Sequence, residues 1–382
     1  MKIMVFSDGY FPQINGVVTQ IDNMHSALVK EGHEVMVVAP SPDTKFREEK
    51  KHNSKIFLLP SIALPTYPDY RVTNITSGKI KKELKDFAPD IIHVHTPFSV
   101  GWLGLRYGRR MKIPVIGTYH TFFPEFLMYL PLPLIKKTTV AKKLTWNFTN
   151  HFYNKCTVVT TPTESMKKEL EKNGTKNVVV LSNAIDFKRF NKYAKKTYSS
   201  KIPSVIYFGR IGFEKNIEIL IFAVKHLLIK GINVKLSITG SGPALDYLKE
   251  IVASEKMGKN VAFNNPLSHD LLPKHVAKHD IFATASTIET QGLTILESMA
   301  LGLPCVGANY LAIPDSIKEN QNGFLFKPYD FVECANKIEK LLKSESLRKK
   351  LGKNAVKTAK NYSVEKVSVT TINLYEKASE SA

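Results

Sequence analysis

The chain has 382 residues, which suits two cores of ordinary size better than one. With 43% hydrophobic and 23% charged residues the composition is that of a folded globular protein and excludes a disordered chain. The net charge of +20 calls for a polyanionic neighbour or substrate. Residues 1–200 carry 30 Lys/Arg against 16 Asp/Glu, so a balance of +14 lies in the N-terminal half.

In chain order, residues 1–7 form a short apolar run ending in polar residues, which predicts a buried parallel strand. Val18, Ile21, Met24 and Leu28 then recur at helical spacing up to the stop at Gly32, and residues 34–39 start another strand. The pattern repeats with strands at 90–95, 114–118 and 157–160. A polar, Lys-rich stretch from Lys188 to Lys201 follows, and strands resume at 204–209, 234–238, 261–263, 280–283 and 305–307. Strand and helix alternation of this kind means parallel sheets. The predicted fold class is α/β, with two doubly wound Rossmann-like domains facing a central cleft. The boundaries are 1–198 for the first domain and 199–363 for the second, with a helix in 364–382 returning to the first. Ligands of such sheets bind at the carboxyl ends of the strands.

No apolar run approaches the roughly 18 to 20 residues that span a bilayer, and the first residues enter a strand pattern at once. The expectation is a cytoplasmic protein. Cys156, Cys305 and Cys334 form no CxxC pair, so neither a disulfide framework nor structural zinc is indicated.

The strongest local pattern runs from Glu289 to Ala300, after the strand at 280–283. Gly292 allows close backbone approach to a ligand, and the helix that follows offers free N–H groups to phosphate. Glu297, about a turn inside that helix, can accept both hydrogens of a ribose diol, and Glu289 before it can hold sugar hydroxyls. The plainer reading is that both acids serve an ordinary helix N-terminus. Arg210 and Lys215 lie on the loop after the strand at 204–209 and could converge on a diphosphate as it leaves, in place of a metal; taken singly, each is an ordinary surface cation. Gly240 to Pro243 reads either as a nucleotide contact or as a plain turn. Gly16, before the first helix, suits backbone contact with phosphate. His120 follows the strand at 114–118, where it can polarise a hydroxyl or be a structural histidine. His93 and His95 share one strand face like a metal pair, but no third ligand accompanies them, which favours a structural role. Residues Phe122 to Tyr153 interleave aromatics, including Trp146, with Lys136, Lys137, Lys142 and Lys143, and Lys79, Lys81, Lys82 and Lys85 add charge. This mixture suits an anionic lipid interface or, alternatively, a helix with its aromatics packed inward.

Together these residues resemble the retaining GT-B glycosyltransferases of family 4, whose E-x7-E signature falls here on Glu289 and Glu297. The likeness takes in the Ser7 to Pro12 loop with Gly16, Thr118 to Thr121, Gly209-Arg210 with Lys215, and the Glu-Thr-Gln-Gly-Leu-Thr block. The segment Ser286 to Thr294 is most similar to glycolipid-forming members, the diacylglycerol glucosyltransferases and phosphatidylinositol mannosyltransferases. The resemblance implies that Arg210, Lys215 and Gly16 bind the donor diphosphate, with Gly292, Leu293 and Thr294 at the helix tip. It further implies that Glu297 binds ribose, Glu289 holds the transferred sugar and His120 sits beside the reacting centre. It implies retention, with the acceptor hydroxyl attacking from the leaving-group side and a phosphate oxygen as base. UDP-glucose is the expected donor and diacylglycerol the expected acceptor, at the inner face of the cell membrane. GDP-mannose-dependent mannosyl transfer to a lipid or glycan is the alternative. No tightly bound cofactor is expected, and any Mg2+ stimulation would act without a protein metal site. Rival readings are a nucleotide-sugar epimerase, which needs no acceptor, a silent sugar-nucleotide-binding scaffold, and a nucleic-acid-binding protein drawn by charge, for which no motif appears and no nucleic-acid partner is expected.

Overall fold

The structure is a computed structural model that describes residues 1–13, 15–64, 67–73, 78–122, 139–200 and 202–380. It divides into two compact units, Met1–Ala184 with Val364–Ala382, and Ile185–Ser363.

The first unit is built on a sheet of order β10-β9-β8-β7-β1-β2-β4-β3. Its elements are β1 (Lys2–Phe6), α1 (Gly16–Lys30), β2 (Glu34–Pro40), β3 (Arg47–Lys51), β4 (Ser54–Leu59), β5 (Ser61–Leu64), β6 (Tyr67–Thr73), α2 (Gly78–Phe87), β7 (Ile91–Val94), α3 (Ser99–Met111), β8 (Val115–Thr118), α4 (Thr139–Tyr153), β9 (Val158–Thr161), α5 (Glu164–Lys172) and β10 (Val178–Val180). Strand β3 is antiparallel to β4, and β5 and β6 pair as a separate hairpin. The inner strands are apolar on both faces because helices cover both, as a parallel sheet requires. The chain winds outward from β1 to β2 and returns on the other side at β7, so a crevice opens at the β1/β7 strand ends. Asp8 closes part of that crevice. Its carboxylate accepts from Thr96 Oγ1 (2.7 Å), Ser99 Oγ (2.7 Å) and the Val100 amide (2.6 Å), capping α3 from another strand's loop.

The second unit has an all-parallel sheet of order β13-β12-β11-β14-β15-β16. It contains α6 (Phe187–Asn191), β11 (Ser204–Phe208), α7 (Ile217–Ile229), β12 (Lys235–Thr239), α8 (Leu245–Ser254), β13 (Val261–Asn264), α9 (Leu272–Val276), β14 (Ile281–Thr284), α10 (Leu293–Ala300), β15 (Cys305–Ala308), α11 (Ile313–Ser316), β16 (Gly323–Phe326), α12 (Phe331–Leu342) and α13 (Glu345–Lys360). Here the reversal lies between β11 and β14.

The boundary read at 198/199 from sequence moves to 184/185, because residues 185–200 are tied to the second unit. Phe190 is fully buried in its core, a burial worth about 1.5–3 kcal/mol. Lys195 Nζ donates to Asp280 (2.7 Å), Tyr198 Oη to the Gly302 carbonyl (2.9 Å) and Ser200 Oγ to Asp280 (2.6 Å). A Lys-rich stretch that reads as a linker is therefore anchored by one buried carboxylate. The C-terminal helix, Val364–Glu380, packs on the first unit, with Tyr375 and Ala378 in the core beside Ile21 and Leu28.

Candidate active site

In the second unit, the loops after β11 and β14 emerge side by side at the sheet reversal, which is why residues some 75 positions apart can meet there. Lys215 Nζ donates to Glu289 Oε1 at 2.6 Å, with both side chains mostly buried. Burial pushes the Glu289 carboxyl up, but the Lys215 charge and the hydrogen bonds from Lys215 and Ser286 outweigh it and hold the group below the usual carboxylate range. Glu289 is thus a fixed anion beside a fixed cation. Asn216 Nδ2 binds the Ala285 carbonyl and Thr287 Oγ1, both at 3.2 Å, which locks the two loops together.

Arg210 Nη1 donates to Glu214 Oε1 at 2.8 Å. Glu214 is buried, so this pair orients the guanidinium from behind. The Tyr207 hydroxyl donates to the Arg210 carbonyl (2.8 Å) and lies in the field of Glu289, Glu214 and Arg210; burial, then the two acids, raise its pKa. Gly209 faces Thr294, whose Cγ2 would stand 3.5 Å from a Cβ placed there.

Gly292 caps α10 with φ +78°, a conformation that favours glycine, and no side chain caps that helix. The N–H groups of Leu293 and Thr294 therefore begin α10 without a side-chain cap, and a Cβ on Gly292 would lie 3.7 Å from Glu289 Cγ. Glu297 sits one turn along α10, half-buried. Burial pushes its carboxyl up to about 7 against the pull of Arg189 on α6. Arg189 also contacts His269 and lies 4.0 Å from Asp186.

The second unit thus gathers Arg210, Lys215, Glu289, Gly292, Leu293 and Thr294 at one strand-end crevice, with Glu297 a turn behind. The Gly240 loop is a backbone neighbour of this group: the Ile211 amide donates to the Ser241 carbonyl (2.8 Å), and a Cβ on Gly240 would stand 1.9 Å from the Gly209 carbonyl oxygen. Its glycines therefore serve loop-on-loop packing.

Gly16 and His120 belong to the first unit. Gly16 is the first residue of α1 and exposed, while Asn15 Oδ1 already accepts from Val17 N and Val18 N at 3.0 Å. His120 follows β8 and binds His95, Nε2 to Nδ1, at 2.8 Å. The His93/His95 pair forms no metal face. His93 is held by Tyr375 and Thr118, and among the described residues no group of three or more potential ligands could hold a metal ion. Of the basic and aromatic stretch, Lys136 and Lys137 lie outside the described residues, as does the Lys79 side chain. Trp146 turns inward against Tyr119 and Phe122, whereas Val140, Leu144 and Phe148 on α4 are 65%, 61% and 41% exposed. Among the described residues no helix is long and apolar enough to cross a membrane.

Sequence reasoning missed Glu214, Ser286 and Arg189 as supports. Glu214 and Ser286 were findable as polar residues four and three positions from Arg210 and Glu289; Arg189 meets Glu297 only through tertiary packing.

A profile described as Glycosyltransferase Family 4 matches residues 14–189, and one described as Glycosyl transferases group 1 matches residues 188–358. The alpha-monoglucosyldiacylglycerol synthase of Streptococcus pneumoniae is 30% identical over 338 residues, covering 85% of this chain and 75% of that protein. The enzyme of the same name from Acholeplasma laidlawii is 26% identical, covering 98% and 96%. Among solved structures, sucrose-phosphate synthase from Thermosynechococcus elongatus superposes with a TM-score of 0.80 at 17% identity, covering 100% of both chains, a likeness of fold. With two Rossmann-like units, a GT-B fold and these relatives, the chain belongs to the family 4 glycosyltransferases.

Proposed function

We propose that the protein moves a hexose, glucose first, from UDP-glucose to diacylglycerol or a related polar lipid, with retention of anomeric configuration. The observation that carries this reading is the Lys215–Glu289 pair set against the uncapped tip of α10. A sugar diphosphate presents anionic oxygens next to hydroxyls, and a cation, free N–H groups and a carboxylate within one crevice match that alternation. Arg210 and Lys215, with Leu293 and Thr294 at the helix tip, receive the charge that develops on the departing diphosphate, and Gly16 contacts it too. Glu297 accepts from the ribose diol, Glu289 seats the hexose and His120 stands beside the reacting carbon. The acceptor hydroxyl attacks from the leaving-group side and passes its proton to a phosphate oxygen, so no protein base is required, and no cofactor or protein-bound metal takes part.

The lipid acceptor is supported by the relatives that make glucosyldiacylglycerol and by α4. Its exposed residues Val140, Leu144 and Phe148 recur every four positions on one stripe, with exposed Lys142 and Lys143 alongside. Such a face enters the interface of an anionic leaflet while lysines meet the headgroups. Exposed Lys81, Lys82 and Lys85 on α2 add to the charge. Incubation with a panel of labelled sugar nucleotides and vesicle lipids, with product separation, tests the reading. The expected product is an α-glucosyl lipid from UDP-glucose; transfer from GDP-mannose alone, or release of UDP with no lipid product, overturns it.

A further inference from the structure

His120 carries a support that reaches the far end of the chain. Its Nε2 is 2.8 Å from His95 Nδ1, and the two rings are within 13° of coplanar, the alignment an N–H···N hydrogen bond needs. The His93 ring lies on the His95 ring with centroids 4.0 Å apart. His93 is pinned at both nitrogens, by Tyr375 Oη on the C-terminal helix (Nδ1, 2.6 Å) and by Thr118 Oγ1 (Nε2, 2.5 Å). Thr118 in turn is 2.6 Å from Thr160 Oγ1.

The Tyr375, His93, Thr118 and Thr160 bonds form one directional chain, so its donors are set together. With the buried Tyr375 hydroxyl donating to His93 Nδ1, His93 carries its proton on Nε2 and donates to Thr118, which donates to Thr160; with the order reversed, Thr160 donates to Thr118, Thr118 to Nε2, and Nδ1–H to Tyr375. Either way His93 holds one proton and both of its nitrogens are engaged. His93, His95 and His120 are all held neutral, their pKa values lowered first of all by burial. Two neutral imidazoles that meet nitrogen to nitrogen share a single proton, so the tautomers of His95 and His120 are coupled.

We infer that His95 is a positioning residue for His120, fixing its ring plane and tautomer, and that His93 and Tyr375 brace His95 from behind. The inference rests on the reading of His120 as a neighbour of the reacting carbon. It gives the His-x-His pair on β7 a use other than metal binding, and it makes a helix some 250 residues downstream in sequence part of the support of that site.

The test uses full-length protein with 15N-labelled histidine, together with turnover of UDP-glucose on dioleoylglycerol in phosphatidylglycerol vesicles. In the unaltered protein, a nitrogen-to-nitrogen coupling across the hydrogen bond between His95 Nδ1 and His120 Nε2 is expected, and its absence overturns the inference without any substitution. His95→Phe keeps a flat ring but no nitrogen; kcat should fall by roughly 10- to 100-fold with donor KM changed less than about threefold, and the His120 signals should report a new tautomer balance. His95→Asn, whose amide falls where Nδ1 stands, should recover most of the loss. Tyr375→Phe should alter the His93 signals and lower kcat by a few-fold. Wild-type kcat and unchanged His120 signals in His95→Phe sink the proposal. His120→Ala separates the two claims: if it turns over normally, the placement of His120 at the reacting centre is wrong, while the nitrogen coupling still decides whether His95 orients it.

Discussion

Lys215 Nζ and Glu289 Oε1 lie 2.6 Å apart, joining the loops that leave β11 and β14. Each side chain is costly to bury alone, and together they form a site of mixed charge at a strand-end crevice. Glu289→Ala should lower turnover about a hundredfold or more while UDP affinity stays within about tenfold, since the carboxylate seats the sugar rather than the nucleotide. Lys215→Ala should lower kcat by roughly 10²–10³ through loss of leaving-group stabilisation. Steady-state kinetics with UDP titration checks both, and undiminished turnover in Glu289→Ala removes that residue from the site.

Arg210 and Glu214 should behave as a unit. Arg210→Ala removes the guanidinium from the buried Glu214 carboxylate, a cost of about 1–3 kcal/mol, so it loses stability as well as activity. Glu214→Gln should retain most of the stability and lose part of the activity, because the guanidinium is no longer aimed. Thermal melts of the single and double variants form the cycle, and strictly additive effects would show that the pair is not coupled.

Glu297 links donor binding to pH. Its carboxyl is pushed up to about 7 by burial, so it is protonated below that value and a better ribose acceptor above it. Donor affinity should weaken as pH falls from 8 to 6, by at most about tenfold per unit, and Glu297→Gln should flatten the profile. Stability moves the other way. The folded state holds this proton more tightly than the unfolded chain, so the contribution is present below the ordinary carboxylate pKa and is lost as pH rises through about 7. Glu297→Gln should therefore melt higher than the parent at pH 8 and close to it at pH 4. A parallel pH dependence of melting in the two proteins would contradict this.

On α4, Leu144→Glu and Phe148→Glu should each weaken binding to phosphatidylglycerol vesicles by at least about tenfold, given about 1.5–3 kcal/mol for burying such a side chain. Leu144 is 61% exposed, so the melting temperature of Leu144→Glu should hardly change, whereas Phe148, 41% exposed and stacked on Phe98, should also lose some stability. Vesicle sedimentation at two salt concentrations reads the effect, with binding also falling as salt rises.

The alternating apolar runs made the two-sheet fold legible, since strands such as Glu34–Pro40 and Ile281–Thr284 are buried on both faces and must be apolar throughout. Strand β3, Arg-Glu-Glu-Lys-Lys, was not legible: it is an exposed antiparallel edge whose charges discourage further pairing and carry no apolar signal. Strands β4 and β16, though apolar, lack the helix-length spacing that identified the others. The positions of Arg210, Lys215 and Glu289 were legible because each follows a strand whose place the alternation predicts, and Glu297 because it lies one turn into the helix beyond. The partners Arg189 and Tyr375 were not, because Arg189 reaches Glu297, and Tyr375 reaches His93, only after helices distant in sequence have packed.

The second unit is one uninterrupted span whose ends meet, the Ile185 amide donating to the Tyr362 carbonyl at 2.8 Å. The first unit is split around it and recovers Tyr375 for its core only from the segment that follows residue 363. During synthesis the ribosome therefore delivers the whole of the later domain before the earlier one receives its closing helix. The N-terminal half must wait, incompletely covered, while its neighbour matures, and a chain stopped near residue 363 would leave a finished second domain attached to a first that lacks part of its core.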